Sequence, residues 1–201
     1  MQEQQKKQQM QQKAYGVGEL MEVAAARAVP VVAGIGDAAL TAPTPCADYD
    51  VKSLVNHLFQ VVVEFQKLAV KKDSDFTGTV DRVGEGGDWR ERFAVEARAL
   101  VAAWSAPGAE EGTSGSMNMP APLVGSMALL DLTVHAWDLA RATGQPYEAP
   151  PEVVGRLSEA VAELAPTAKA MGVFGEPVVA GPDASPFERL LAATGRDPRR
   201  A

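Results

Sequence analysis

An apolar run of the sequence, LLDLTVHAWDLARATG at residues 129–144, carries a carboxylate and an imidazole four positions apart, Asp131 and His135. Side chains four positions apart on a helix lie one above the other, so these two groups can reach the same point in space. Histidine with a carboxylate is a common ligand set for catalytic divalent metals, and bundles hold such sites between facing helices. The other histidine of the chain, His57, lies in a second apolar-periodic segment, DVKSLVNHLFQ, and is the predicted third ligand.

A structural explanation of the same residues stays open. Carboxylate and histidine pairs at this spacing also recur by accident in helices. Asp131 is then a helix-surface carboxylate, and the two histidines are satisfied core residues. A metal-free structural or dimerising bundle of this kind predicts that His57 lies far from His135. An unpaired carboxylate on an apolar helix face is costly, however, so a buried Asp131 needs a donor, a cation or a metal.

The elements that position these residues are predicted to be helices. Asp50 stands at the N-cap position of a helix over about residues 51–70, which carries His57. A helix over about residues 122–144 carries the other two candidate ligands and has proline first and glycine last, as helix ends prefer. Further helices are predicted at about residues 17–35, 89–105, 151–171 and 186–195. No convincing run of strands is present, so the predicted class is all-α, with the longer helices packed antiparallel in a four-helix bundle and a short C-terminal helix added.

The length and composition favour one soluble domain. Residues 14–201 are predicted to form it, and the polar, glutamine-rich residues 1–13 are a leader that is either disordered or a frayed helix. The apolar-looking stretch at 23–40 is interrupted by proline, glycine and charged residues, so it is not expected to span a membrane.

Charge and cysteine content restrict the partners and the compartment. The 26 acidic and 19 basic residues give a formal net charge of −7, which repels phosphate backbones and anionic lipids, so neither nucleic acid nor a membrane is an expected partner. The single cysteine, Cys46, cannot form an internal disulfide, and no signal-peptide pattern opens the chain. A cytoplasmic location is therefore predicted. Whether the bundle forms a homodimer stays open.

Three separated blocks of the sequence resemble a known family: TAPTPCADYDVKSLVNHL, DLTVHAWDLARATGQP and SPFERLLAATGRDP. They are similar to the small metal-binding proteins related to the N-terminal domain of mycothiol-dependent maleylpyruvate isomerase, within the DinB-like superfamily of four-helix bundles. The resemblance runs over about residues 17–199. It implies a divalent metal held by His57, Asp131 and His135. The family usually has glutamate at the position of Asp131, so a metal would lie closer to the helix here or be bound through water, and Tyr49 replaces a frequent tryptophan, which is expected to affect packing.

Two further residues could take part in chemistry. Asp138 is the candidate catalytic residue: it could accept a proton from a histidine ring, replace Asp131 on the metal, or act on a metal-bound water. The alternative is a buried salt bridge with Arg141 or another base. Cys46 precedes a helix start, where the dipole can lower a thiol pKa, but a lone cysteine without a histidine in its own segment is more often structural.

These observations favour a metal-dependent enzyme acting on a small-molecule substrate. A metal with an open coordination position would promote deprotonation of a bound water or low-molecular-weight thiol, which then attacks a small electrophile. The resemblance implies a mycothiol-like thiol and a transferase or isomerase reaction. The segment after Gly144 is too short for the isomerase's second domain, so maleylpyruvate is not the expected substrate. Two imidazoles and a carboxylate suit zinc first, with nickel or iron as alternatives. The second hypothesis is a bundle that binds a metal or small ligand without turnover, as expected if a fourth protein ligand such as Asp138 closes the site.

Overall fold

The computed structural model of the chain describes residues 15–115, 118–171 and 175–199, and the leader predicted at residues 1–13 lies outside them. The described part is mostly helical. Its helices are α1 (Val17–Ala33), α2 (Val51–Ala69), α3 (Trp89–Trp104), α4 (Ala121–Ala142), α5 (Pro151–Met171) and α6 (Pro186–Ala193), with a 3₁₀ turn at Asp37–Ala39. Two short strands, β1 (Thr113–Ser114) and β2 (Met119–Pro120), pair antiparallel before α4. The predicted all-α class and short C-terminal helix are therefore confirmed.

Local signals explain where α2 and α3 begin. The Asp50 carboxylate accepts a hydrogen bond from the backbone N–H of Ser53 at 2.8 Å, which satisfies a free donor of the first turn of α2. Asp88 caps α3 in the same way. The apolar stripe of α2 faces the core and is almost fully buried at Leu54, Leu58, Val61, Val62, Phe65 and Leu68.

The site-bearing helix α4 lies in the middle of the fold. It is the one helix among the described residues that is long and apolar enough to cross a membrane by length and composition, and 83% of its most apolar window is buried inside the protein. Its apolar surface is therefore covered by the neighbouring helices, as in the core helix of a soluble protein.

The four bundle helices are α1 to α4, with α1 and α2 each packed against both α3 and α4. Helix α5 lies on α4, and α6 lies on α5. At the start of α3, Arg90 donates to the carbonyl of Ile35 just beyond α1 at 2.9 Å, so α1 and α3 are antiparallel. Ser114, ahead of α4, donates to the carbonyl of Leu68 near the end of α2 at 2.7 Å, so α2 and α4 are also antiparallel.

The remaining two neighbouring pairs are parallel, which corrects the expectation of antiparallel packing throughout. Phe59 and Phe93 have ring centroids 5.4 Å apart, and further along both helices Trp104 Nε1 donates to the carbonyl of Phe65 at 3.1 Å, so α2 and α3 run the same way. The connection over residues 70–88 makes this arrangement reachable, because extended chain covers about twice the distance per residue that a helix does.

A polar network attaches that connection to the first turns of α2. Asp81 accepts hydrogen bonds from Lys52 Nζ at 2.7 Å and from Asn56 Nδ2 at 2.9 Å. Asn56 Oδ1 accepts in turn from the backbone N–H of Val83 at 3.0 Å. The returning chain is thereby held beside the end of α2 that carries His57.

Candidate metal centre

The two histidines and Asp131 meet between α2 and α4. One potential ligand atom from each of His57, Asp131 and His135 lies within 4.8 Å of the other two. The histidine rings are edge to face, with centroids 5.1 Å apart. The prediction that these three side chains lie close together is confirmed. The metal-free hypothesis predicts that His57 lies far from His135, and that prediction is wrong. Their role as metal ligands stays a prediction.

The two nitrogens of His135 face different carboxylates. Nδ1 lies 2.9 Å from Asp138 Oδ2, within hydrogen-bond distance. Nε2 lies 3.5 Å from Asp131 Oδ1, on the side of the ring that faces the shared site. An ionised carboxylate can only accept, so the shorter contact, with Asp138, favours the tautomer that has its hydrogen on Nδ1 and a lone pair on Nε2. Asp138 therefore contacts the Nδ1 edge of the ring, and Nε2 faces the shared site.

These donors fit a divalent metal. Ligand bonds of about 2.0–2.2 Å in a tetrahedral zinc site place the ligand atoms about 3.3–3.5 Å apart, and the distance from His135 Nε2 to Asp131 Oδ1 matches that spacing. This distance is compatible with Asp131 as a direct ligand, and its direct binding stays a prediction. The bond from Asp138 to the non-ligating nitrogen is the usual support of a metal-bound histidine.

Burial sets the protonation of His57. Loss of hydration lowers the pKa of this ring below its usual 6.5, and the nearby Asp131 carboxylate opposes that shift. The charges of His135 and Arg196 lower the pKa further. A neutral imidazole is the form that binds metal, so His57 is ready to act as a ligand at neutral pH.

Arg196, from the segment after α6, is a site residue to which the sequence analysis assigned no role. Its Nη2 donates to Asp138 Oδ2 at 3.1 Å and lies 3.4 Å from His135 Nδ1. Arg196 is therefore the base that pairs with Asp138, which is fully buried. Arg196 stands in the SPFERLLAATGRDP block, but nothing local indicates that this segment folds back onto α4.

The connection before α2 covers the site from another side. The ring of Tyr49 stacks on that of His57, with centroids 5.3 Å apart and planes at 22°, which agrees with the packing role expected for it. Thr44 Oγ1 donates to the carbonyls of both Cys46 and Tyr49 and so shapes this connection.

Cys46 reaches the same cluster from this connection. It forms a second group of potential ligands with His135 and Asp138, again within 4.8 Å. Burial raises the pKa of the Cys46 thiol above 9.0, against the opposing charge of Arg196. The segment of the sequence that contains Cys46 has no histidine, but the fold brings His135 close to this thiol. The Arg196 guanidinium within this second group makes it less suited to a cation than the group of His57, Asp131 and His135.

Comparison with known proteins locates the chain in a family. The family described as the mycothiol maleylpyruvate isomerase N-terminal domain matches residues 21–140, a range that contains all three candidate ligands. Two curated proteins of Mycobacterium tuberculosis, uncharacterized protein MT0763 of strain CDC 1551 / Oshkosh and uncharacterized protein Rv0738 of strain ATCC 25618 / H37Rv, are each 28% identical over 172 residues. Each match covers 80% of this chain and 86% of the relative. No solved structure matches the chain.

Proposed function

Because the chain belongs to the mycothiol maleylpyruvate isomerase N-terminal domain family, we propose that it binds a divalent metal through His57, Asp131 and His135 and is a metal- and thiol-dependent enzyme. Its reaction is transfer or isomerisation on a small electrophile, with a mycothiol-like thiol or water as the activated group. Zinc is the first candidate metal, and nickel or iron are the alternatives. The convergence of the three donor side chains from two helices is the observation that carries this proposal.

The protein's own side chains have distinct parts in this chemistry. A bound metal would supply Lewis acidity that lowers the pKa of a thiol or water at its open position. His57 and His135 would offer neutral nitrogens, and the Asp131 charge would offset part of the metal's charge. Asp138, which faces Nδ1 of His135, would act on the reaction through that ring by orienting it.

The nucleophile is expected to come from outside the chain. Cys46 is its single cysteine, and the raised pKa of this thiol keeps it protonated at neutral pH. A protonated thiol is a poor nucleophile. A free low-molecular-weight thiol or a water therefore fits the reaction better than an enzyme-linked thiolate.

The second candidate function is a bundle that binds a metal or small ligand without turnover. It requires a fourth protein ligand that closes the coordination sphere. The position of Asp138 behind His135 argues against that residue as the closing ligand. The enzyme hypothesis is therefore favoured.

Metal content is the first test. Protein purified without a histidine tag or added metal is analysed by elemental analysis as wild type, His57→Ala and His135→Ala. Gln66→Ala is the matched control, because Gln66 lies on α2 with His57 but bonds to Glu96 on α3. Near-stoichiometric metal in the wild type and control, lost in both histidine variants, supports the shared site. Equal metal content in all four proteins contradicts it.

Turnover is tested on the metal-loaded protein. Monochlorobimane, which becomes fluorescent on thioether formation, is offered with mycothiol, glutathione or cysteine. Thiol conjugation above the uncatalysed rate, lost in His57→Ala and His135→Ala, supports the enzyme. Metal bound without conjugation of any of these thiols favours the binding bundle.

A further inference from the structure

We infer that Arg196 is a positioning residue of the metal centre: acting through Asp138, it holds His135 in the orientation and tautomer that direct Nε2 toward His57 and Asp131. The inference rests on the proposed function for its metal. Arg196 lies beyond residues 21–140, the range that the family match covers.

Three atoms form a tight triangle behind the imidazole. His135 Nδ1 lies 2.9 Å from Asp138 Oδ2, Asp138 Oδ2 lies 3.1 Å from Arg196 Nη2, and Arg196 Nη2 lies 3.4 Å from His135 Nδ1. Two arrangements of hydrogens compete in such a triangle. In one, Nδ1 donates to the carboxylate and Nε2 has a free lone pair; in the other, Nδ1 accepts from the guanidinium and Nε2 carries the hydrogen. The second arrangement would block Nε2 as a ligand.

The distances favour the first arrangement. The carboxylate oxygen is nearer to Nδ1 than the guanidinium is, and two acceptors at 2.9 Å would repel each other. The guanidinium binds the same oxygen that the ring uses and so draws that oxygen into position beside Nδ1. The contact of Arg196 with the ring nitrogen is then a consequence of its bond to Asp138.

The pairing geometry differs from that of an ordinary structural ion pair. A guanidinium and a carboxylate frequently pair through two parallel hydrogen bonds. Here only Asp138 Oδ2 accepts, while Asp138 Oδ1 and Arg196 Nε are buried without a hydrogen-bond partner among the described residues. Asp138 Oδ2 therefore contacts both the His135 ring and the guanidinium, and the second hydrogen bond that a bidentate pair would form is absent.

The guanidinium is itself held in place by the residue that caps the end of α6. Arg196 Nη1 donates to the carbonyl of Thr194 at 2.8 Å, and the Arg196 backbone N–H donates to the carbonyl of Leu191 at 2.9 Å. Only 9% of Arg196 is exposed, and Asp138 is not exposed at all. A ligand supported by such a fixed partner is pre-organised for binding.

The wild type alone permits the first test. Because the chain has two histidines, ¹⁵N-histidine labelling gives a simple NMR spectrum. It is recorded without metal at about pH 8.5, where an ordinary imidazole is neutral. We expect the His135 ring, assigned with His57→Gln, to carry its hydrogen on Nδ1. A hydrogen on Nε2 would overturn the inference, and the result needs no bound metal.

Variants then separate positioning from simple anchoring. Co²⁺ affinity, measured by its visible absorption under chelator competition, is compared for wild type, Arg196→Gln, Asp138→Asn and the double variant. We expect each single change to weaken Co²⁺ binding by about 10- to 100-fold, and the double variant to be no weaker than Asp138→Asn. Without the guanidinium, Asp138 Oδ2 is no longer held beside Nδ1 and an Nε2 hydrogen can donate to Asp131 Oδ1 instead, so Arg196→Gln should also give a mixture of His135 tautomers.

The control is Arg199→Gln, in the same segment, because Arg199 bonds to Asp197 away from the triangle. Unchanged tautomer and affinity in Arg196→Gln, or a loss that adds in full to that of Asp138→Asn, would overturn the inference. If Arg196→Gln does not fold, the wild-type spectrum and Asp138→Asn still decide, since an Asp138→Asn protein with wild-type tautomer and affinity would refute the route through Asp138. A wild type that binds no Co²⁺ would refute the proposed function and leave the tautomer result standing.

Discussion

His57 and His135 lie with their rings at 89° to each other and their centroids 5.1 Å apart. One ring comes from α2 and the other from α4, so packing across the bundle sets this separation. The stacked ring of Tyr49 limits rotation of His57, and the bond to Asp138 limits rotation of His135. Both rings are thus ordered before any ligand arrives, which reduces the side-chain entropy that binding would cost.

Two replacements of Asp131 should show separately how its charge and its size contribute to metal affinity. Asp131→Asn removes the charge beside His135 Nε2 and is expected to weaken metal binding by at least about tenfold, or about 1.4 kcal/mol. Asp131→Glu keeps the charge on a side chain one methylene longer and should retain the metal. The measurement is Zn²⁺ competition with a chromophoric chelator, with Asp88→Asn as control because Asp88 caps α3. Wild-type affinity in Asp131→Asn would show that the carboxylate is not a ligand.

Alkylation of Cys46 should report its environment. Burial raises the pKa of this thiol above 9.0, so thiolate formation is shifted to more alkaline pH. The iodoacetamide rate, followed by mass spectrometry against pH, is expected to have its midpoint above 9.0. The positive charge of Arg196 opposes this shift, so Arg196→Gln should move the midpoint higher still. A wild-type midpoint at about 8.5, as for a free cysteine, would contradict the buried environment.

Asp81 should stabilise the protein in a pH-dependent way. Its hydrogen bonds to Lys52, Asn56 and the Gly84 N–H lower the pKa of the carboxyl from 3.8 to about 2. The lowered pKa means that the native state favours the ionised form, so the stabilisation is complete above about pH 4 and is lost as the pH falls toward 2. Urea unfolding should show Asp81→Asn to be less stable than wild type at pH 7, with a difference that shrinks below pH 4. Asp73→Asn, in the same connection, is the control, and a difference independent of pH would contradict the assignment.

Two glycines in helices should respond oppositely to alanine. A Cβ on Gly125 would lie 2.6 Å from Val17 Cγ1 on α1 and 2.8 Å from Trp104 Cζ3, a side chain that reaches α4 from the end of α3. Gly125→Ala should therefore lower the free energy of unfolding by about 1–3 kcal/mol through overpacking. Gly155 on α5 has open space at the Cβ position, so Gly155→Ala should raise that free energy by about 0.4–1 kcal/mol. Chemical denaturation measures both, and equal effects would mean that the close helix contact is absent.

Local chemistry explains why the helices could be predicted. Asp50 and Asp88 cap their helices through residues two or three positions away, and the apolar period of α2 repeats every few residues. These signals are local, so the sequence alone indicates the helices. The pairing of Asp131 with His135 is equally local, because one turn of helix suffices to bring them together. His57 was the only other imidazole that could join them.

Long-range packing explains what could not be predicted. The parallel course of α2 and α3 depends on how residues 70–88 return along the bundle, and the attachment through Asp81 and Asn56 has no periodic signal. For the salt-bridge alternative, the sequence offers Arg141 or another base as the partner of Asp138, and Arg141 is about one helical turn away. The observed partner, Arg196, reaches Asp138 only because α5 and α6 fold back on α4.

The candidate metal centre combines four separated parts of the chain: the connection with Tyr49, α2 with His57, α4 with His135 and the segment with Arg196. Contacts between such distant residues close long loops, and their entropy cost delays them in folding. The helices can therefore form, and the bundle can collapse, before the contacts that orient the His135 ring have formed. During refolding, circular dichroism would then detect helix formation before the protein can bind a metal. Metal binding would follow only when the native contacts between all four parts have formed.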